Sequence, residues 1–95
     1  MTGEQMLHHV AGILAERGTA YGDAAASMAT VAARWSLTLG NPVTPAQVVL
    51  CLIDLKLARL AHNPTHHDSI ADVIGYAALM SEIMNAAHQN RSQTP

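Results

Sequence analysis

Two basic and two acidic side chains lie close together in segment 54–79, and they are the residues best suited to chemistry. Lys56 and Arg59 precede a helix-breaking proline, and Asp68 and Asp72 follow it. Lys56 falls in the middle of an apolar helical face, where another aliphatic residue is expected. Asp68 and Asp72 are one turn apart and share a face of the next helix. The chain can therefore fold back and bring opposite charges together.

This charged group has two interpretations, which both begin from the cost of an unpaired charge in apolar surroundings. In the structural one, an ion-pair network fixes the third helix on the fourth. In the functional one, Lys56 and Arg59 bind phosphate or another anion, while Asp68 and Asp72 hold a divalent cation or orient a hydroxyl group or a water molecule. A carboxylate in a first helical turn is favoured anyway, so Lys56 and Asp72 carry most of the functional hypothesis.

Two tyrosines are candidates for contact with a ligand. Tyr21 lies in the predicted turn 18–23, where its ring could stand beside an anion-accepting helix N-terminus; alternatively, it fills the core. Gly75 and Tyr76 lie in the middle of the last predicted helix, where glycine costs about 1 kcal/mol relative to alanine. That cost predicts the close approach of a helix or a ligand beside Asp72.

Other kinds of site have less support. His62 and His66 have the separation of a metal-binding pair, but the proline between them breaks the helix that would align their rings. Cys51 is the single cysteine, which excludes a disulfide within the chain and favours a packed or interface thiol. The sequence contains no Gly-x-Ser-x-Gly elbow, phosphate-binding loop or dinucleotide fingerprint.

Periodicity and capping signals predict four helices and no strand, which is an all-α fold. We expect Gly18 to end the first helix and the pair Thr65 and Asp68 to begin the last one as a capping box. The predicted helices cover about residues 4–17, 24–39, 45–61 and 66–88.

The composition indicates one folded domain. Of the 95 residues, 49% are hydrophobic and 13% charged. We expect a compact four-helix domain over residues 1–88 and a flexible polar tail over residues 89–95. With no Phe, one Trp and two Tyr, the core is thinly filled, which predicts completion by homo-oligomerisation. The net charge of −2 argues against DNA binding, and no apolar run reaches the roughly 20 residues of a membrane span.

Several short motifs occur between Gly18 and Leu79, namely Tyr21-Gly22-Asp23, Trp35, Lys56-Leu57-Ala58-Arg59-Leu60, Asn63-Pro64-Thr65-His66, Asp68-Ser69, Asp72 and Gly75-Tyr76-Ala77-Ala78-Leu79. Together they resemble a family of small, functionally uncharacterised bacteriophage and prophage proteins. More distantly, basic residues followed by Asp-x-x-x-Asp and Gly-Tyr are similar to the all-α nucleoside triphosphate pyrophosphohydrolases of the MazG type. The resemblance implies a nucleotide and Mg²⁺, and the single cysteine fits a reducing cytoplasm, here that of the bacterial host.

The pyrophosphohydrolases hold magnesium with a Glu-x-x-Glu pair and a Glu-x-x-Asp pair, and this sequence has neither. Asp68 and Asp72 would then need phosphate oxygens or a second subunit to complete a magnesium site. The leading hypothesis is therefore a protein that binds a nucleotide or another phosphorylated small molecule, for nucleotide metabolism or to sequester a nucleotide signal. The alternatives are a magnesium-dependent pyrophosphohydrolase and a non-catalytic protein–protein interaction module with a structural ion-pair network.

Overall fold

Four α-helices form the fold of the described residues. The computed structural model describes the backbone of residues 1–21 and 23–93 and the side chains of residues 1–19 and 23–86. The helices are α1 (Gly3–Tyr21), α2 (Ala24–Leu39), α3 (Pro45–His62) and α4 (His67–Gln93). No strand occurs within the described backbone, so the predicted all-α fold is confirmed. Across these same residues, no helix is both long enough and apolar enough to cross a membrane.

Local sequence signals set several helix ends. At the start of α1, the Thr2 N–H donates to Gln5 Oε1 at 2.8 Å and the Gln5 N–H donates to Thr2 Oγ1 at 3.1 Å. Thr44 and Gln47 form the same capping box at the start of α3, with distances of 2.9 and 3.1 Å. Gly40 ends α2 with a φ of +72°, a left-handed conformation that favours glycine.

The first helix continues past Gly18, where we predicted its end. It runs to Tyr21, and Gly18 does not adopt a positive φ. The Thr19 hydroxyl donates to the carbonyl oxygen of Ala15 at 3.1 Å, a bond made within the helix. Glycine permits a helix to end but does not require it. The predicted turn is therefore wrong for residues 18–21.

The start of α4 is capped by His66. Its Nδ1 lies 3.2 Å from the backbone nitrogen of Ser69 and 2.7 Å from Ser69 Oγ. Because a backbone N–H only donates, Nδ1 accepts, and we assign the ring proton to Nε2. Thr65 is engaged elsewhere, since its N–H and hydroxyl donate to Asn63 Oδ1 at 3.2 and 2.8 Å. The predicted capping box of Thr65 and Asp68 is therefore wrong.

Replacing His66 with alanine should destabilise the fold. Ser69 is 1% exposed, so removing its acceptor leaves a buried N–H and a buried hydroxyl without a partner. We expect the free energy of unfolding, measured by urea denaturation, to fall by about 1–2 kcal/mol. His66→Asn offers a carbonyl oxygen that can cap the same N–H, so it should retain most of the stability. Equal losses in the two variants would contradict the capping role.

The last helix is apolar on more than one side because it packs against all three other helices. It packs most extensively on α3, whereas α1 packs mainly against α4. In α3, Val48 and Val49 are 0% exposed, and Leu79 of α4 is 7% exposed. The core between α1 and α4 is formed by Met6, Val10, Ala71, Ile70 and Ile74. Apolar residues on opposite sides of the last helix predict burial on two faces, and this arrangement agrees with that prediction.

The apolar periodicity of α2 and α3 predicts that Leu39 and Leu57 face the core, but both lie on the surface. Leu39 is 62% exposed and Leu57 is 48% exposed. Leu39 is the last residue of α2. Leu57 is rotated by 100° about the helix axis from Lys56, the residue through which α3 reaches α4. Leu39 therefore lies at the end of its apolar stripe, and Leu57 lies at the side of its own.

The last helix also extends further than its periodicity predicts. It continues beyond His88, its predicted end, to Gln93. The side chains of residues 87–95 lie outside the described part of the chain, and the flexible tail over residues 89–95 stays a prediction.

Candidate functional site

Lys56 of α3 and Asp72 of α4 form an ion pair between the two helices. Lys56 Nζ lies 3.2 Å from Asp72 Oδ2, and the two side chains are 17% and 34% exposed. A lysine on an otherwise apolar face is thus explained by a carboxylate on the next helix. Among the described residues, Asp72 Oδ1 has no hydrogen-bond partner, so this oxygen can accept a bond from a bound molecule.

Arg59 and Asp68, the other two members of the predicted group, do not join this pair. Both are exposed, and neither makes a salt bridge within the described part of the chain. Arg59 lies in the last turn of α3 and Asp68 in the first turn of α4. The helix dipole favours a cation at the first of these positions and a carboxylate at the second, so both are explained without a ligand.

The predicted magnesium ligands, Asp68 and Asp72, lack a third protein donor. Among side chains 1–19 and 23–86, no three His, Cys, Asp or Glu residues lie close enough together to hold a metal ion. Asp72 is also engaged by an ammonium group. A Mg²⁺ ion at this position would need phosphate oxygens or donors from a second copy of the chain.

A cavity of about 460 Å³ lies between α1, the N-terminal part of α2 and α4. Asp72 and Tyr76, two of the predicted ligand contacts, line it. Most of its wall is apolar. The other lining residues are Val10, Ile13, Leu14, Arg17 and Gly18 of α1, Asp23, Ala24, Ser27 and Met28 at the start of α2, and Ala71, Gly75, Leu79 and Glu82 of α4.

The remaining predicted ligand contacts are placed differently. Lys56, Arg59 and Asp68 are not among the residues that line the cavity. Lys56 reaches Asp72 from α3, a helix that contributes no residue to the cavity wall. The Tyr21 side chain lies outside the described residues, so its contact with a ligand stays a prediction.

Sequence reasoning missed Arg17, Asp23 and Glu82 as polar residues of the cavity. The position of Asp23 directly before a helical stripe predicts only an N-cap of α2, which it is, since its Oδ1 accepts from the Ala25 N–H at 2.9 Å. The spacing along α4 contains a signal for Glu82, because residues 72, 75, 76, 79 and 82 share one helical face. The position of Arg17 in the cavity wall depends on how α1 packs against α4, and no local sequence pattern predicts that packing.

Gly75 has open space around its missing side chain. A Cβ atom built there would have Val10 Cγ1 at 3.9 Å as its nearest neighbour, which is ordinary van der Waals contact. Within the described part of the chain, no neighbouring helix requires glycine at this position, so the close approach of a helix that we predicted is wrong. The alternative, an approaching ligand, stays a prediction. Gly18 on the opposite wall has no heavy atom of the described residues within 4 Å of such a Cβ.

Gly75→Ala should stabilise the protein. The methyl group fits without a clash, and alanine is favoured over glycine inside a helix by about 0.8–1.0 kcal/mol. We expect the free energy of unfolding in urea to rise by about that amount. Gly12→Ala is the matched control, because Gly12 lies within α1, has open space and does not line the cavity. Destabilisation by Gly75→Ala alone would show that the space beside Gly75 is filled in solution.

Comparison with known proteins places this site in a family. Residues 5–84 match the model of a family described as a domain of unknown function (DUF6378). The chain belongs to this family. The match includes Lys56, Asp72 and all the described residues that line the cavity, so the candidate site lies within the DUF6378 domain.

The chain is also similar to the Gene 55 protein of Mycobacterium phage L5. The two are 33% identical over 69 residues, which make up 72% of this chain and 44% of the phage protein. The chain therefore spans less than half the length of that relative. The predicted resemblance to bacteriophage proteins is confirmed. No solved structure matches the chain.

Proposed function

We propose that this protein binds a nucleotide or another phosphorylated small molecule in the cavity between α1, α2 and α4. The observation that carries the proposal is the wall formed by α4. There, Asp72, Gly75 and Tyr76 offer an acceptor, an open space and an aromatic ring, while Lys56 holds the carboxylate from the far side. The volume of about 460 Å³ falls within the range of small-molecule sites, about 300–1,000 Å³.

The polar residues have separate roles in this proposal. Asp72 Oδ1 accepts from a sugar hydroxyl group, and the Tyr76 ring packs against a base. Arg17 contacts the phosphate, because it lines the cavity and a guanidinium suits a phosphate in geometry and charge. This role replaces the one that the sequence assigned to Lys56 and Arg59. Lys56 becomes a positioning residue that orients Asp72.

Binding without turnover has more support than magnesium-dependent pyrophosphohydrolysis. The distant resemblance to MazG-type enzymes favours the hydrolase, but the described side chains do not gather three metal donors. A ligand-binding phage protein could serve nucleotide metabolism or sequester a nucleotide signal. Steady turnover of a nucleotide panel with Mg²⁺, abolished by Asp72→Asn, would establish the hydrolase in place of the binder.

The decisive experiment is a thermal-shift screen of nucleosides, nucleotides and cyclic nucleotides, followed by calorimetric titration. A ligand at 100 times its Kd stabilises the folded state by about 2.7 kcal/mol, which gives a clear rise in Tm. Gly75→Leu fills the cavity from α4 and Gly18→Leu fills it from α1, so both should abolish the shift. Gly12→Leu, outside the cavity, should retain it. If no compound raises Tm, or if both filled variants bind as the wild type does, the proposal is wrong.

We also propose that the protein self-associates through an exposed apolar surface on α3. Leu50 and Leu57 are two turns apart on one face and are 52% and 48% exposed. Cys51 is exposed as well, which excludes a core-packed thiol. A second copy suits this surface because the described core is small, with Val48 and Val49 its largest fully buried apolar side chains.

Light scattering after size-exclusion chromatography tests this self-association. The wild type should elute as an oligomer, and the double substitution Leu50→Glu and Leu57→Glu should give a folded monomer. A wild-type monomer at high micromolar concentration would contradict the proposal. If the ligand screen also fails, the remaining role of the ion pair between Lys56 and Asp72 is structural, because it joins α3 to α4.

A further inference from the structure

The charges around the cavity are mainly negative. Among the described residues, Asp23, Asp72 and Glu82 line it, and they face a single lining cation, Arg17. Lys56 offsets the charge of Asp72 from α3. Three carboxylates and two cations leave a formal charge of −1 around a largely apolar space.

The N-terminus of α2 does not add the positive potential that a polyphosphate would need in this cavity. A helix N-terminus often binds phosphate through its free N–H groups. Here Asp23 occupies that position, with its Oδ1 accepting from the Ala25 N–H at 2.9 Å. This end of α2 is therefore already neutralised by its own carboxylate.

The acceptors in the wall favour a ligand that donates hydrogen bonds. Asp72 has one carboxylate oxygen without a partner among the described residues, and Glu82 makes no salt bridge with them. Ser27 adds a hydroxyl group that can donate or accept. Hydroxyl and amino groups of a sugar and a base match these acceptors. A polyphosphate does not, since Arg17 can neutralise only one of its charges.

We infer that the cavity selects a nucleoside or a nucleoside monophosphate and discriminates against diphosphates and triphosphates. The identity of the ligand as a nucleotide rests on the proposed function, whereas the charge selection rests on the lining residues alone. Each phosphate beyond the first adds negative charge to a site whose described lining already carries three carboxylates against one arginine, and like charges repel.

Calorimetric titration with adenosine, AMP, ADP and ATP, and with the matching guanine, cytosine and uracil series, tests the inference. The titrations are done without Mg²⁺, which would neutralise the phosphates. In any series that binds, we expect the triphosphate to bind at least tenfold more weakly than the monophosphate. Glu82→Gln should reduce the ratio of the triphosphate Kd to the monophosphate Kd at least threefold. Glu4→Gln, a substitution in α1 away from the cavity, should leave it unchanged.

The outcomes separate this inference from the proposed function. If a triphosphate binds more tightly than its monophosphate, the charge selection is overturned while nucleotide binding stands. If no nucleoside or nucleotide binds, the proposed function fails, and small neutral, cationic and anionic aromatic fragments are then titrated while the amide NMR signals of Gly75 and Leu79 are followed. Shifts caused by neutral or cationic fragments support charge selection. Shifts caused mainly by anions, or no shifts, overturn it.

Discussion

Replacing Lys56 with methionine should lower the free energy of unfolding by about 1–2 kcal/mol, measured by urea denaturation at neutral pH. The substitution keeps the apolar stem but removes the ammonium group. The carboxylate of Asp72 then remains partly desolvated and has lost its partner. Because the Asp72 side chain is 34% exposed, the expected loss is smaller than the roughly 3–5 kcal/mol for breaking a fully buried pair.

A double-mutant cycle isolates the interaction between the two side chains. Lys56→Met combined with Asp72→Leu replaces the pair by apolar groups, and it should recover about 1 kcal/mol of the summed single losses. Arg59→Met is the matched control, because Arg59 is exposed and makes no salt bridge within the described residues. Its effect should stay below about 0.5 kcal/mol. Strict additivity of the two single losses would show that the pair does not couple α3 to α4.

The same variants connect stability with binding. If Lys56 acts by positioning Asp72, then Lys56→Met should lower the affinity for a nucleoside even where the variant remains fully folded. Equal affinity of a ligand for Asp72→Asn and for the wild type would show that this carboxylate does not contact the ligand.

Val49→Ala should lower the free energy of unfolding by about 2–3 kcal/mol. Val49 is 0% exposed, so the substitution loses the transfer free energy of two methyl groups and leaves a cavity between α3 and its neighbours. Leu37→Ala is a strong control, because it deletes a larger apolar group from a position that is 82% exposed. That control should change stability by less than about 0.5 kcal/mol. Similar losses in both variants would contradict the burial of α3.

The parts of the fold that depend on nearby residues were predictable from the sequence. Thr44 with Gln47 and Gly40 each act within a few positions along the chain, so they place helix ends directly. The ion pair was predictable for a related reason. A lysine on an apolar face requires a partner, and the turn between the last two helices brings Asp72 within reach.

The cavity was not predictable, because it depends on how α1 docks against α4. Arg17 is an unremarkable charged residue, and the face of α4 that Glu82 shares with Asp72 has no identifiable partner, until two helices far apart in sequence are placed side by side. His66 as a cap was missed for another reason. Thr65 is the more usual cap, but Asn63 already engages both of its donors.

The attachment of α1 mainly to α4 has a kinetic consequence. A helix held by one principal interface can open without global unfolding, so its backbone amides should exchange with deuterium sooner than those of α3. Because α1 forms one wall of the cavity, an occupant would bridge that interface and slow the exchange. The protection of α1 amides would then report occupancy even for a molecule whose identity is unknown.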